Sequence, residues 1–254
     1  MNPSVKRHQL ILQQLENQGH VGVLDLSTAL QVSTVTIRKD LQLLEDKGLL
    51  IRSHGGATLE SVYSKEPPPD EEEALSAARE VAIAAAGAQL IQPHESVIMA
   101  AGTILLAMAR ALPPHLPITV ITPALTIGLE LLQHPEIEVL QLGGYLRHSS
   151  SSVTGPHAEQ VLTQIACSKL FLGVDGIDLD FGLTTTSISE AHLHQQMIRS
   201  AQQIIVLADS SKFGKRGFSR ICGLDQVHRI ITDKGISRQD AKRLEEQGIA
   251  LTVV

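Results

Sequence analysis

Five polar residues near position 35 have side chains that could contact a nucleic acid. Ser33, Thr34 and Thr36 carry short hydroxyl groups, and the cations Arg38 and Lys39 follow them. Hydroxyl and guanidinium groups hydrogen-bond to base edges, whereas cations paired with phosphates position a protein without reading sequence. We predict that Ser33, Thr34, Thr36 and Arg38 mainly contact bases and that Lys39 mainly contacts the backbone.

The apolar residues around this polar group predict a helix that presents it. Ile37, Leu41 and Leu44 recur at helical spacing on one face. Ser33 is a plausible N-cap, and Gly48 is expected to end the helix. Apolar patterns at 7–18 and 24–30 predict two supporting helices before it. A polar helix start that follows two supporting helices is typical of a helix-turn-helix.

A short two-stranded wing is predicted after this helix. Residues 49–52 and 57–59 can form strands, and Gly55-Gly56 favours a tight turn between them. Arg52 and His54 lie in this wing, where we expect them to contact the DNA backbone. The first sixty residues are therefore predicted to form a winged helix-turn-helix that binds double-stranded DNA.

The charge distribution predicts that one copy of this module binds DNA weakly. The whole chain of 254 residues has a formal net charge of −6, yet residues 1–60 contain six Lys/Arg and six Asp/Glu. A neutral module neutralises few phosphates, and phosphate neutralisation supplies much of the affinity for DNA. We therefore expect a homo-oligomer, either a dimer or a tetramer.

Strands alternate with helices from residue 94 onward, and this alternation predicts a mainly parallel sheet covered on both faces. The strand candidates are 96–99, 118–122, 138–142, 169–174, 203–208, 229–232 and 250–254. The helix candidates are 74–91, 104–112, 124–133, 157–165, 188–201 and 237–247. The segment SKEPPPDEEE at 64–73 separates the two patterns, so we predict domains at 1–60 and 74–254 joined by a linker at 61–73.

Small, hydroxyl-bearing and charged residues follow several of these strands, where an open parallel sheet binds its ligands. Helix N-termini and a lysine at such an edge suit an anion, phosphate above all. The predicted effector contacts are Gly102, Thr103, Thr122, Gly143, Gly144, Asp175, Asp209, Ser211 and Lys212.

Two sets of motifs resemble the DeoR family of bacterial transcription regulators, over almost the whole chain. The first set is VSTVTIRKDLQLLEDKG at 32–48 and RSHGGA at 52–57. The second is AGT at 101–103, GGYLR at 143–147, FLGVDGID at 171–178, SEA at 189–191 and ADSSKFG at 208–214. The resemblance implies a winged helix-turn-helix followed by an α/β sensor similar to ribose-5-phosphate isomerase. It also implies a repressor of carbohydrate use that a phosphorylated sugar or polyol releases.

The chain departs from the family pattern at four positions of the expected effector site. Ala100 stands where an acid is common, Ile104 replaces a threonine, Pro123 replaces an asparagine, and His194 replaces a lysine. These changes remove polar groups from the expected site. One alternative is therefore a DNA-binding regulator whose sensor site is vestigial or takes a ligand other than a sugar phosphate. Another alternative, from a different class of protein, is a sugar-phosphate isomerase-like enzyme.

The remaining composition indicates neither a metal protein nor an exported one. Cys167 and Cys222 are expected to be buried thiols, because no apolar signal core precedes them. His192 and His194 lie two apart on a predicted helix, which is poor spacing for joint metal ligands. No apolar run is long enough to span a bilayer. We expect a cytoplasmic protein without cofactor, metal, catalytic residues or membrane partner.

Overall fold

The computed structural model describes residues 3–18, 20–45, 50–53, 56–58 and 71–254. The chain divides into two compact units, Met1–Pro69 and Asp70–Val254. Gly48 and His54, with most of the predicted linker, lie outside the described residues.

The first unit contains helices and a small antiparallel sheet. Its elements are α1 (Pro3–Gln18), β1 (His20–Gly22), α2 (Val23–Ala29), α3 (Thr34–Glu45), β2 (Ile51–Ser53) and β3 (Gly56–Thr58). Strand β3 pairs with both β1 and β2, so the order is β1-β3-β2. The helix and strand pattern predicted for a winged helix-turn-helix is therefore confirmed.

The apolar faces of the three helices of this unit form its core. Ile37, Leu41 and Leu44 of α3 are at most 2 % exposed, as their helical spacing predicts. They pack with Ile11 and Leu15 of α1 and with residues of α2 and the sheet. Because these faces are apolar, the opposite, polar face of α3 remains in solvent.

The second unit alternates strands and helices. Its helices are α4 (Glu71–Ala88), α5 (Thr103–Arg110), α6 (Leu125–Leu131), α7 (Pro156–Leu162), α8 (Ile188–Arg199) and α9 (Arg238–Glu246). The strands of its large sheet are β4 (Ser96–Met99), β5 (Ile118–Thr122), β6 (Ile137–Gln141), β9 (Cys167–Leu172), β12 (Ala201–Leu207), β14 (Arg229–Thr232) and β15 (Ala250–Val253). Its short strands are β7 (Tyr145–Arg147), β8 (Ser152–Thr154), β10 (Gly176–Asp178), β11 (Gly182–Thr185) and β13 (Ser219–Cys222).

All seven predicted strands of this unit form one parallel sheet in the order β15-β14-β12-β9-β4-β5-β6. The chain first adds strands on one side of β4 and then returns to add β9 and its followers on the other side. A reversal of this kind leaves a crevice beyond the carboxyl ends of the central strands. Apolar clusters cover both faces of the sheet, and the predicted α/β fold class is confirmed.

The short strands and the start of α4 differ from the predictions. β7 pairs with β8, and β11 pairs with β10 and β13, in two small antiparallel sheets that the sequence pattern did not predict. Helix α4 begins at Glu71, inside the predicted linker, because consecutive acids stabilise a helix N-terminus through its dipole. None of the described helices has the length and apolar character needed to cross a membrane.

Candidate functional site

One face of α3 carries the predicted DNA contacts. Arg38 and Lys39 are exposed on α3, and Thr34 and Thr36 are half-buried in its first turn. Thr34, Arg38 and Gln42 follow one another at four-residue spacing and therefore share a face. Val35 is 58 % exposed beside them, so it offers a methyl surface that a thymine methyl can contact. The predicted set omitted Val35 and Gln42, although their place in the helical pattern would have identified them.

Ser33 caps α3. Its hydroxyl accepts a hydrogen bond from the Thr36 backbone N–H at 3.2 Å and lies 2.9 Å from the Thr36 hydroxyl. The N-cap that the sequence predicts is therefore present. Because both hydroxyls hydrogen-bond each other at the helix start, they are held there in a fixed arrangement.

A buried carboxylate connects α3 to α1. Asp40 is 6 % exposed, and it accepts hydrogen bonds from Arg7 Nε at 2.6 Å and Arg7 Nη2 at 3.0 Å. His8 Nε2 lies 2.9 Å from the same carboxylate. Burial raises the pKa of Asp40, but the hydrogen bonds from Arg7 and His8 and their charges lower this pKa more, and the net shift is downward. The charged carboxylate therefore links α3 to two residues of α1.

The wing residues are described only in part. Arg52 lies in β2, which pairs with β3 as the wing prediction requires, and His54 lies outside the described residues. Their assignment to the DNA backbone stays a prediction.

A cavity of about 500 Å³ is lined by residues that follow β4, β9 and β12. These three strands are neighbours in the sheet, at the reversal of strand order. Pockets of roughly 300–1,000 Å³ hold small ligands, and this position is where an open α/β sheet binds them. The cavity is therefore the candidate ligand site of the second unit.

Five of the nine predicted effector contacts line this cavity. Gly102 and Thr103 enter it at the start of α5, Asp175 follows β9, and Asp209 and Lys212 follow β12. Gly102 precedes α5 with a φ of 144° and no side chain caps the helix. As at any helix start, the first-turn N–H groups of α5 lack intrahelical partners, and groups of this kind can bind an anion.

The other four predicted contacts are absent from the cavity lining, and strand order explains most of this. Thr122 is the last residue of β5 and is fully buried, with its hydroxyl accepting the Ala124 N–H at 3.1 Å. Gly143 and Gly144 follow β6, at the edge of the sheet. A Cβ on Gly144 would lie 2.5 Å from the Thr154 carbonyl oxygen, so this glycine permits a close backbone approach. Ser211 is exposed, and its N–H donates to Asp209 at 2.8 Å.

Arg147 is a cation of the cavity that sequence reasoning did not select. The β7–β8 hairpin brings it there, and it donates from Nη1 to the Ser187 hydroxyl at 2.5 Å. Its Nη2 lies 3.8 Å from Glu190 Oε2. The sequence feature that could have identified Arg147 is its position in the family motif GGYLR. The lining also includes Glu80, Thr126, Ser149, Ser150, Ser151, Thr185 and Thr186.

Carboxylates and hydroxyls form a hydrogen-bonded network on one side of the cavity. Asp175 accepts from the Thr185 hydroxyl at 3.0 Å and from the Thr186 N–H at 2.8 Å. Glu190 Oε2 lies 3.1 Å from the same Thr185 hydroxyl. Carboxylates held in this way can accept further hydrogen bonds from a polyhydroxylated ligand.

Two of the four departures from the family pattern reach the cavity. Ile104 and His194 line it, whereas Ala100 is buried in the core and Pro123 is buried with its carbonyl accepting the Val153 N–H at 3.0 Å. Neither Ala100 nor Pro123 is therefore part of the cavity wall.

The first unit is a winged helix-turn-helix with an exposed helix, and the second is an α/β unit with a cavity. This combination is the arrangement of a transcription regulator. Family models match both parts, the DeoR-like helix-turn-helix domain at residues 7–62 and the DeoR C terminal sensor domain at residues 76–234. The chain belongs to the DeoR family, and it is a DNA-binding transcriptional regulator rather than an enzyme.

Relatives match over nearly the full length. The chain is 38 % identical to a putative aga operon transcriptional repressor of Escherichia coli O157:H7, covering 98 % of this chain and 93 % of the relative. It is 35 % identical to the HTH-type transcriptional regulator YulB of Bacillus subtilis strain 168, covering 98 % and 96 %. Among solved structures, a ribose 5-phosphate isomerase from Plasmodium falciparum matches with a TM-score of 0.40 and 15 % identity, covering 56 % of this chain and 55 % of that one.

Proposed function

We propose that this protein represses a carbohydrate-utilisation operon and that a phosphorylated sugar or polyol releases it from the operator. The observation that carries the proposal is the composition of the cavity at the strand reversal. A cation and an open helix N-terminus lie in the same cavity as a network of carboxylates and hydroxyls. This combination suits a ligand that is anionic at one end and polyhydroxylated along its length.

The phosphate is assigned to the start of α5 and to Lys212. The unpaired N–H groups after Gly102 donate to an anion, and the Lys212 ammonium adds a full positive charge. Arg147 is a weaker candidate, because its guanidinium already faces Glu190 and three serine hydroxyls. The sugar hydroxyls are assigned to Asp175 and Glu190.

The operator is assigned to α3 and the wing. Ser33, Thr34, Thr36 and Arg38 are proposed to contact bases, while Lys39, Arg52 and His54 hold the phosphate backbone. Since the N-terminal module carries no net positive charge, the active form is proposed to be a homodimer or homotetramer whose modules bind together. Because its proposed partner is an operator in bacterial DNA, the protein is proposed to act in the cytoplasm.

The test is fluorescence anisotropy of the full-length protein on a labelled duplex from the region upstream of its own gene. We expect tight, salt-sensitive binding that one compound from a panel of sugar phosphates releases. Ligand and operator affinities are coupled reciprocally, typically by about 1–3 kcal/mol. Binding that no compound alters would indicate a sensor site that takes another ligand or none. Equal binding to random DNA would overturn the operator assignment.

Substitutions in α3 separate base contacts from backbone contacts. Arg38→Ala is expected to lose about 1–3 kcal/mol of preference for the operator over random DNA, because a guanidinium reads guanine with two hydrogen bonds. Lys39→Ala is expected to weaken both duplexes similarly, since a phosphate contact carries no sequence information. Competition binding against both duplexes measures the two effects. An equal loss on both duplexes for Arg38→Ala would reverse the assigned roles.

A further inference from the structure

His194 is a buried imidazole in the wall of the cavity. It lies on α8, lines the cavity and is 4 % exposed. Its Nδ1 has no hydrogen-bond partner among the residues that the structure describes. A buried polar atom is rarely left unpaired in a folded protein, and the exceptions call for an explanation such as a bound ligand. Because His194 lines the cavity, a molecule bound there is the candidate partner for this ring.

The imidazole carries no charge at neutral pH. Burial lowers the pKa of His194 to about 4, and the negative charge of Asp175 opposes this shift only in part. The ring can therefore donate one hydrogen bond and accept another, but it cannot balance an anion. In this state His194 can hydrogen-bond with a hydroxyl or amide group, and it supplies no charge to balance a carboxylate or phosphate.

The charged residues around the cavity already favour one anionic group and no more. The described lining contains four acids, Glu80, Asp175, Glu190 and Asp209, and two cations, Arg147 and Lys212. Arg147 lies against Glu190, so the positive potential available to a ligand is concentrated at Lys212 and the α5 N-terminus. A second anionic group near Asp175 and His194 would face carboxylates without a cation of its own.

We propose that His194 selects effectors that carry a single phosphate and no other anionic group. The neutral imidazole pairs with a hydroxyl or amide at the part of the ligand that lies away from the phosphate. The effector class is then a monophosphorylated sugar or polyol, and bisphosphates and phosphorylated sugar acids are excluded. This inference rests on the proposed sugar-phosphate function and adds to it the residue that limits the ligand's charge.

Calorimetric titration of the full-length protein with matched pairs of compounds tests the inference. Suitable pairs are glucitol 6-phosphate with 6-phosphogluconate, fructose 6-phosphate with fructose 1,6-bisphosphate, and tagatose 6-phosphate with tagatose 1,6-bisphosphate. In the first pair a carboxylate replaces a hydroxymethyl group, and in the other two pairs a second phosphate esterifies a hydroxyl. The wild type is expected to bind the singly phosphorylated member of at least one pair at least tenfold more tightly. His194→Lys is expected to reduce that preference at least tenfold.

Three further variants separate recognition from a structural role. His194→Gln keeps a neutral hydrogen-bonding group and is expected to retain the preference. His194→Leu removes both nitrogens and is expected to weaken the monophosphate about tenfold. His192→Lys adds the same charge to an exposed position of α8 and should leave the preference unchanged. DNA binding without ligand and thermal denaturation show whether each variant is folded.

The outcomes distinguish this inference from the function on which it rests. A monophosphate that binds with a preference that neither His194→Lys nor His194→Leu alters would overturn the role of His194 alone. Equal affinity of the wild type for both members of every pair that binds would do the same. If no pair binds either the wild type or His194→Lys, the sugar-phosphate function fails, and the inference fails with it.

Discussion

Asp40→Ala is expected to unfold the DNA-binding unit while the sensor unit stays folded. The substitution removes the acceptor of both Arg7 hydrogen bonds and leaves a largely buried guanidinium without its partner. Removal of one member of a buried ion pair costs about 3 kcal/mol or more, and a unit of this size has a stability of only roughly 3–10 kcal/mol. Hydrogen exchange of α1 and α3, measured in the full-length chain, would report the loss together with operator binding.

The same ion pair predicts how this unit responds to acid. Because the folded state lowers the pKa of Asp40, its contribution to stability is complete above the unfolded pKa of about 4. That contribution is lost as the pH falls through the lower, folded pKa. Asp25→Ala is the matched control, since Asp25 is an exposed acid of the same unit. Equal protection of α1 and α3 in Asp40→Ala and Asp25→Ala would show that the pair does not hold the helices together.

The regular elements followed from local pattern because their apolar residues repeat with the right period. Ile37, Leu41 and Leu44 repeat at helical spacing and are buried. The strands of the large sheet are apolar and β-branched, so they were recognised within one or two residues of their bounds. The short strands β7, β8, β10, β11 and β13 were not predicted, because they have only three or four residues each and lack the apolar, β-branched sequence of the large sheet.

The candidate site was only partly predictable, because strand order is a property of the whole fold. Gly102, Asp175 and Lys212 follow strands that become neighbours at the reversal, so the rule for parallel sheets placed them correctly. Thr122 ends β5 and Gly144 follows β6, and both strands lie on one side of the reversal. No local sequence pattern shows on which side a strand will lie. Arg147 reaches the cavity through a hairpin, and its partner Ser187 is forty residues further along the chain.

The buried ion pair and the unpaired imidazole were also invisible in the sequence. Arg7 and Asp40 are thirty-three residues apart, and a single sequence gives no sign that they meet. His194 stood out only as a departure from the family motif, whereas its burial and its unpaired nitrogen depend on how α8 packs. Both features concern polar groups in buried positions, where hydrogen-bond geometry, rather than hydrophobic pattern, decides what a side chain does.

Lys212→Ala is expected to give a repressor that binds its operator but no longer responds to the effector. Lys212 lies in the short helical turn that follows β12. It lines the same cavity as the first residues of α5. A hydrogen bond to a charged group contributes about 1.5–3 kcal/mol, so the affinity for the effector should fall roughly 10- to 100-fold. Calorimetry with the releasing sugar phosphate measures this loss directly.

Operator anisotropy distinguishes a lost ligand contact from a damaged fold. Without ligand, Lys212→Ala should bind the operator as the wild type does, because the substitution lies in the second unit. With ligand, release should require a correspondingly higher concentration. Lys215→Ala removes the same charge from an exposed residue that is absent from the cavity lining, and it should respond like the wild type. If both variants released with wild-type sensitivity, the phosphate would lie elsewhere in the cavity, with Arg147 as the next cation to substitute.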